Sequence, residues 1–179
     1  VRILVPHVSL HPDARDALGQ YAPGALRWKL GPHRTAYHWA WADHWDTCRR
    51  MGQALMIVEQ DIVIHEGVVP GFLSCPESWC VYPYPGPGGR PLTRSLGCVR
   101  WSHGLLLDQP DLPEAVGRID DGDGIGPRDW RRLDVRIAME LERRGYTAHQ
   151  HTPPVAHRHH YEPENQPCLC GTCPTMDGD

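Results

Sequence analysis

The chain opens on an apolar run, Ile3-Leu4-Val5-Pro6-His7-Val8, closed by Ser9, His11 and Pro12. This predicts a strand over residues 2–8. Pro12-Asp13 then starts a helix running to about Gln20, because proline suits a first helical turn. A second short strand is expected over 26–30, before the Gly31-Pro32 break. From Thr35 to Met51 the apolar positions Tyr37, Trp41, Trp45 and Cys48 recur at helical spacing on one face. The strongest strand follows, Ala54-Leu55-Met56-Ile57-Val58. It is expected to run through Glu59-Gln60-Asp61 into Ile62-Val63-Ile64 as a central strand buried on both faces.

Residues 67–74 suit a short helix and 79–82 a strand, while 96–107 carries a strand and a turn of helix. Residues 83–91, rich in proline and glycine, are predicted as a loop or flap, and 120–127 as a second, acidic loop. Trp130, Leu133, Ile137 and Leu141 fall on one face of an amphipathic helix that Gly145 stops. A last strand is expected over 146–151. Strands alternating with helices predict a single α/β domain with a mostly parallel central sheet flanked by helices. It is expected to span 1–161, with a polar, cysteine-containing tail over 162–179.

At 179 residues and 40% hydrophobic, the chain can bury one proper core. No run nears the about 18 apolar residues of a membrane span. The N-terminal run lacks the layout of a secretion signal. A cytoplasmic protein is therefore expected, with no membrane partner. A net charge of −4 argues against a generic polyanion binder but leaves room for a local basic patch. Of the seven cysteines, Cys48, Cys75, Cys80 and Cys98 sit among apolar residues and are expected to be buried, reduced thiols.

Three groups carry candidate chemistry. Glu59 and Asp61 end an apolar strand, where buried charge is costly unless paired or bound to a metal, and where open α/β sheets bind ligands. A divalent cation bridging phosphate oxygens fits such acids; pairing with arginines is the plainer alternative. Five histidines, His149, His151, His157, His159 and His160, crowd the end of the chain, and neutral imidazole ligates transition metals. Asp134 stands at a helix start, which favours its anion; it suits a general base only where substrate desolvates it.

The order of these features resembles the inverting, metal-dependent glycosyltransferases of the A-type fold, the family 2 enzymes that use nucleotide-diphosphate sugars. The matching stretches are Glu59-Gln60-Asp61, then Gly97 to Leu105, then Leu133-Asp134, then Arg144-Gly145-Tyr146, then Pro154-Val155-Ala156-His157. Short forms of this kind resemble glycosyltransferases of actinobacterial phages. Departures are Leu133 where the family has Glu, Glu-x-Asp in place of Asp-x-Asp, and the short chain.

The resemblance implies a Rossmann-like fold, donor binding by Glu59 and Asp61, and Mn²⁺ or Mg²⁺ on Asp61 with His157, or His159 as the alternative. It implies Asp134 as the general base, and Arg100 and Trp101 on the acceptor side. Pro6, His7, Val8 and Tyr37 would form the nucleotide pocket, with a UDP-sugar the favoured donor, and the 83–91 flap would close over it. In a phage setting the location becomes the host cytoplasm and the acceptor a hydroxymethylated pyrimidine in DNA. Arg90, Arg94, Arg100, Arg128, Arg131 and Arg132 would then contact phosphates.

A second reading starts from the tail. Cys168, Cys170 and Cys173 with one of His157, His159 or His160 make a Cys3His zinc set. On that reading the protein is a zinc-stabilised nucleic-acid or partner-binding module without catalysis.

Overall fold

The computed structural model of the chain describes residues 1–86, 89–120, 122 and 124–158. The proposed tail 162–179, with Cys168, Cys170 and Cys173, and also His159 and His160, lie outside the described residues.

The chain forms an α/β domain around a six-stranded sheet. Its strands are β1 (Arg2–His7), β2 (Leu26–Lys29), β3 (Leu55–Val58), β5 (Trp79–Val81), β8 (Cys98–Trp101) and β9 (His149–Gln150), in the order β2-β1-β3-β8-β5-β9. β1 pairs parallel with β2 and β3, and β5 pairs parallel with β9. β8 runs antiparallel to both its neighbours, so five strands share one direction. The remaining elements are α1 (Pro12–Tyr21), α2 (Ala36–Arg50), β4 (Ile62–Val63), α3 (Val68–Ser74), β6 (Tyr84–Pro85), β7 (Pro91–Leu92), α4 (His103–Asp108), α5 (Leu112–Val116), α6 (Leu133–Arg143) and β10 (Ala156–His157). Among the described residues, no helix is long and apolar enough to cross a membrane.

The twofold alternation of strand side chains divides the core in two. Leu4, Leu55, Ile57, Trp79, Val81, Val99 and Trp101 face one layer, packed by Trp41 and Trp45 of α2 and by Leu105, Leu112, Leu133 and Ile137. Val5, Met56, Val58, Cys80 and Cys98 face the other, under Leu18 of α1 and Phe72 of α3. β3 is buried throughout, as its unbroken apolar run predicts. Cys48, Cys75, Cys80 and Cys98 are buried free thiols. Gly145 adopts a left-handed backbone, φ +87°, that ends α6 at little steric cost.

Four local expectations are corrected. Residues 62–64 do not continue β3: Ile62 N–H turns back onto the Glu59 carbonyl, and β4 leaves the main sheet to pair antiparallel with β10. The 83–91 segment is not all loop, because β6 and β7 pair at its two ends. The final strand shrinks to His149–Gln150, with β10 following it unforeseen. Trp130 leaves the apolar stripe of α6. It sits in a 3-10 turn, Trp130–Arg132, that Asp129 caps, and it is 55% exposed.

Gly97, just before β8, closes the gap between sheet and hairpin. Its carbonyl accepts the Glu59 N–H at 2.8 Å, and a Cβ on it would run into the Tyr84 ring, whose hydroxyl bonds Ser95. Gly97→Ala is expected to destabilise by about 1–3 kcal/mol through overpacking, read as a lowered urea midpoint with unchanged slope. An unchanged midpoint would mean the hairpin yields freely.

Candidate active site

The acid triplet forms a turn at the carboxyl end of β3, held from three sides. Glu59 N–H donates to the Gly97 carbonyl, His11 N–H to the Gln60 carbonyl at 3.0 Å, and Val8 N–H to Gln60 Oε1 at 2.8 Å. The turn is thereby tied through its backbone to the start of β8 and of α1, and through the Gln60 side chain to the end of β1. Tyr37, on the first turn of α2, donates its hydroxyl to Glu59 Oε1 at 2.8 Å. Burial and then the Glu59 charge push the Tyr37 hydroxyl well above its ordinary pKa, so it stays a donor.

Glu59 itself is raised from 4.5 to about 8. Burial is the main cause and the negative charge of Asp61 the next; the Tyr37 hydrogen bond opposes them. Asp61 Oδ1 is buried and has no hydrogen-bond partner among the described residues. Its Oδ2 meets His157 Nε2 at 3.2 Å. That contact follows from the β4–β10 pairing, which sets His157 opposite Ile62, and from Arg158 N–H donating to the Asp61 carbonyl at 2.7 Å. The other ring nitrogen of His157 lies 3.2 Å from the Pro85 carbonyl of β6. Burial lowers the His157 pKa, but the hydrogen bond and charge of Asp61 outweigh it and the net shift is upward.

Two cavities meet these residues. The first, about 330 Å³, lies at the carboxyl ends of β1, β2 and β3. It is lined by Pro6, Val8, the 30–34 loop, Tyr37, Glu59, Asp61 and Trp130. The second, about 240 Å³, is lined by residues 91–95 and by Asp134, Val135, Ala138 and Met139 of α6. Asp134 stands in the first turn of α6 and accepts the Val135 N–H at 2.8 Å. Burial raises its pKa against the pull of backbone N–H groups and Arg132. Its charge is felt by Glu59, Tyr37 and Tyr84, so both acids share one electrostatic neighbourhood.

The structure thus brings Pro6, Val8, Tyr37, Glu59 and Asp61 to one cavity, sets His157 against Asp61, and leaves Asp134 in the second cavity. His7 is absent from the lining, its Nδ1 turned back to the Val5 carbonyl at 3.2 Å. Arg100 and Trp101 require correction as acceptor-side residues. Trp101 is fully buried against Trp41 and Trp45. Arg100 points to the opposite face of β8, where it donates to the Glu77 carbonyl and to Cys80 Sγ. Other arginines suggested for phosphate contact are engaged as well: Arg94 with Glu142, Arg128 with Glu114 and over Trp39, and Arg131 with Asp129.

Sequence reasoning missed Trp130 and Arg34. Both line the first cavity, and they are joined by a hydrogen bond from Trp130 N–H to the Arg34 carbonyl at 3.0 Å. The Gly31-Pro32 break directly after a parallel strand was the available signal for Arg34. For Trp130 the helical periodicity pointed the wrong way.

Strand order reverses on either side of β1, and the first cavity opens outside the carboxyl ends there. This is the ligand crevice of an open α/β sheet. No protein-family profile matches the sequence, and no curated protein matches it. The fold is similar to that of a solved glycosyltransferase involved in the glycosylation of the major capsid of PBCV-1. The TM-score is 0.58 at 11% identity, over 91% of this chain and 96% of that one. A second solved structure, A197 from STIV, aligns with a TM-score of 0.47 at 12% identity, over 84% of this chain and 82% of that one. At such identity the first likeness is one of fold.

Proposed function

We propose that the protein is a metal-dependent glycosyltransferase that moves a sugar from a nucleotide-diphosphate sugar to an acceptor hydroxyl. The observation that carries this reading is Asp61. Among the described residues its Oδ1 is buried without a partner, and its Oδ2 faces His157, at the edge of a cavity large enough for a nucleotide. An orphaned buried carboxylate oxygen beside an imidazole suits a divalent cation. Asp61 and His157 would hold it, with Glu59 close by. When bound, Mn²⁺ or Mg²⁺ supplies neutralisation of the charge on the departing diphosphate.

The chain's own residues do the rest. Trp130 offers an exposed ring to the base, and Arg34 a cation at the same mouth. Tyr37 is committed to Glu59 and orients that carboxyl. The β6–β7 hairpin is tied to His157 through Pro85, beside Asp61, and would help exclude water there. Asp134 takes the proton of the acceptor hydroxyl in the second cavity. The acceptor oxygen then bonds to the anomeric carbon as the bond from that carbon to the diphosphate oxygen breaks. The electron pair leaves with the nucleoside diphosphate, and the anomeric configuration inverts.

Thermal unfolding across a panel of UDP- and GDP-sugars, with and without Mn²⁺, tests the donor site. One nucleotide sugar at ~100-fold over its Kd should raise the Tm of the wild type by about 5–10 °C, only with metal. Asp61→Asn, which keeps the shape and removes the charge, should lose that shift. A panel with no shift under any metal ends this reading. Acceptors, DNA containing hydroxymethylated pyrimidine among them, are then screened with the donor so found.

A further inference from the structure

We propose that Cys75, Cys80 and His151 form a zinc site, separate from both cavities, that fastens the last strand of the sheet to β5. Among the described residues these three bring their donor atoms within 4.8 Å of one another, the spacing a single ion needs. The two sulfurs are 3.3 Å apart. A tetrahedral centre with zinc–sulfur bonds of about 2.3 Å sets two thiolates about 3.8 Å apart, so a small opening of about 0.5 Å accommodates the ion.

The topology assembles the site from three elements. Cys75 is the residue that ends α3, its N–H donating to the Gly71 carbonyl at 3.1 Å. Cys80 lies mid-strand in β5, on the face opposite Trp79 and Val81. His151 follows β9, and its N–H donates to the Val81 carbonyl at 2.8 Å, which holds it beside β5. The imidazole is also preset. It stacks on Tyr82 at 4.8 Å and 17°, and Phe72 packs edge-on against it. Tyr82 is itself anchored by its hydroxyl to the Gly67 carbonyl at 3.0 Å. His151 Nε2 is buried and without a hydrogen-bond partner among the described residues, the condition in which a buried polar atom calls for a ligand.

Burial pushes the Cys80 thiol up to about 12, and Arg100 is the group that pulls the other way, toward a thiolate. Arg100 donates to Cys80 Sγ at 3.0 Å and to the Glu77 carbonyl at 2.9 Å, the kind of N–H···S support that steadies a metal-bound thiolate. Loading removes one proton from each thiol and surrounds Zn²⁺ with two thiolates, one imidazole and a solvent oxygen. Two sulfurs and one nitrogen select zinc over magnesium or manganese. The segment from His151 leads straight to His157, so fixing one end steadies the other against Asp61.

The test uses the full chain with Cys168, Cys170 and Cys173 changed to Ser, reduced, and titrated with Co²⁺ and then Zn²⁺. The expected result is thiolate-to-cobalt absorption in the near ultraviolet that corresponds to one sulfur-bound Co²⁺ per chain, whatever oxygen and nitrogen sites fill besides, and that one equivalent of Zn²⁺ removes. Cys75→Ser should weaken that band. His151→Gln, at a half-buried position, should keep the parent's circular dichroism and lower Co²⁺ affinity by about 10-fold or more. Absence of the band in the reduced tail-substituted chain overturns the proposal. So does unchanged affinity in His151→Gln, which decides the matter even where Cys75→Ser fails to fold. Neither readout depends on sugar transfer.

Discussion

Asp134→Asn should lower turnover by ~10²–10⁴-fold, the range that removal of a general base produces, while the metal-dependent shift with the nucleotide sugar stays as in the wild type. The split follows from where Asp134 stands. It lines the second cavity with Thr93, Arg94 and Ser95, whereas the proposed donor cavity is lined by Pro6, Val8, the 30–34 loop, Tyr37, the acid triplet and Trp130. A base near a helix N-terminus would ordinarily be a weak one, because the N–H groups stabilise its anion. Here burial outweighs the Val135 N–H bond and Arg132 and moves the pKa upward, toward the pH at which a proton must be taken. Asparagine keeps the acceptor oxygen for the Val135 N–H, so the fold of the first turn should survive. The acid limb of the rate profile should rise through the shifted pKa of this group. Turnover within tenfold of wild type would assign the base elsewhere. Loss of the donor shift along with turnover would move Asp134 from base to donor ligand.

The layered plan of the fold was legible because it is local. The unbroken apolar run of β3, the helical spacing of Tyr37, Trp41, Trp45 and Cys48, and the α/β alternation each report a neighbourhood a few residues long. What was not legible depends on pairing across the chain. Nothing near Cys98 marks β8 as the one antiparallel strand of the sheet, and nothing near Ile62 says that it will meet His157 in a second sheet. The acids were visible as charge at the end of a buried strand, an anomaly that propensity alone does not tolerate. Tyr37 lines the first cavity, but its hydroxyl on Glu59 was not readable, and the exposed ring there is that of Trp130. The same reason hides Cys75, Cys80 and His151. They converge only through the β5–β9 register, which sets Cys80 opposite His149 and carries His151 alongside.

Glu59 should make the metal-free protein lose stability as pH rises, a direction opposite to that of the usual salt-bridged acid. Its folded pKa is about 8 against an ordinary 4.5. Between those values the folded protein keeps a proton that the unfolded chain releases, so raising the pH favours unfolding. The contribution is fully present below about 4.5, is lost progressively toward about 8, and changes no further above that. Its size is on the order of a few kcal/mol. Glu59→Gln mimics the protonated side chain, keeps an oxygen for the Tyr37 hydroxyl, and cannot titrate. Urea unfolding in EDTA should therefore give a wild-type stability that falls relative to Glu59→Gln from pH 5 to pH 9, with the curves together at the acid end and apart at the basic end. Taking the difference cancels the titration that both proteins share, including the Asp129–Arg131 pair, whose low carboxyl pKa of about 2 acts in more acidic solution. Parallel curves would mean that Glu59 is hydrated in the folded state. The cost that the difference measures is mainly that of burying the Glu59 carboxyl, with the charge of Asp61 beside it adding to it. A fold under no functional demand would relieve it with glutamine, whereas the site proposed above, if it takes a cation and a diphosphate, would have a use for it.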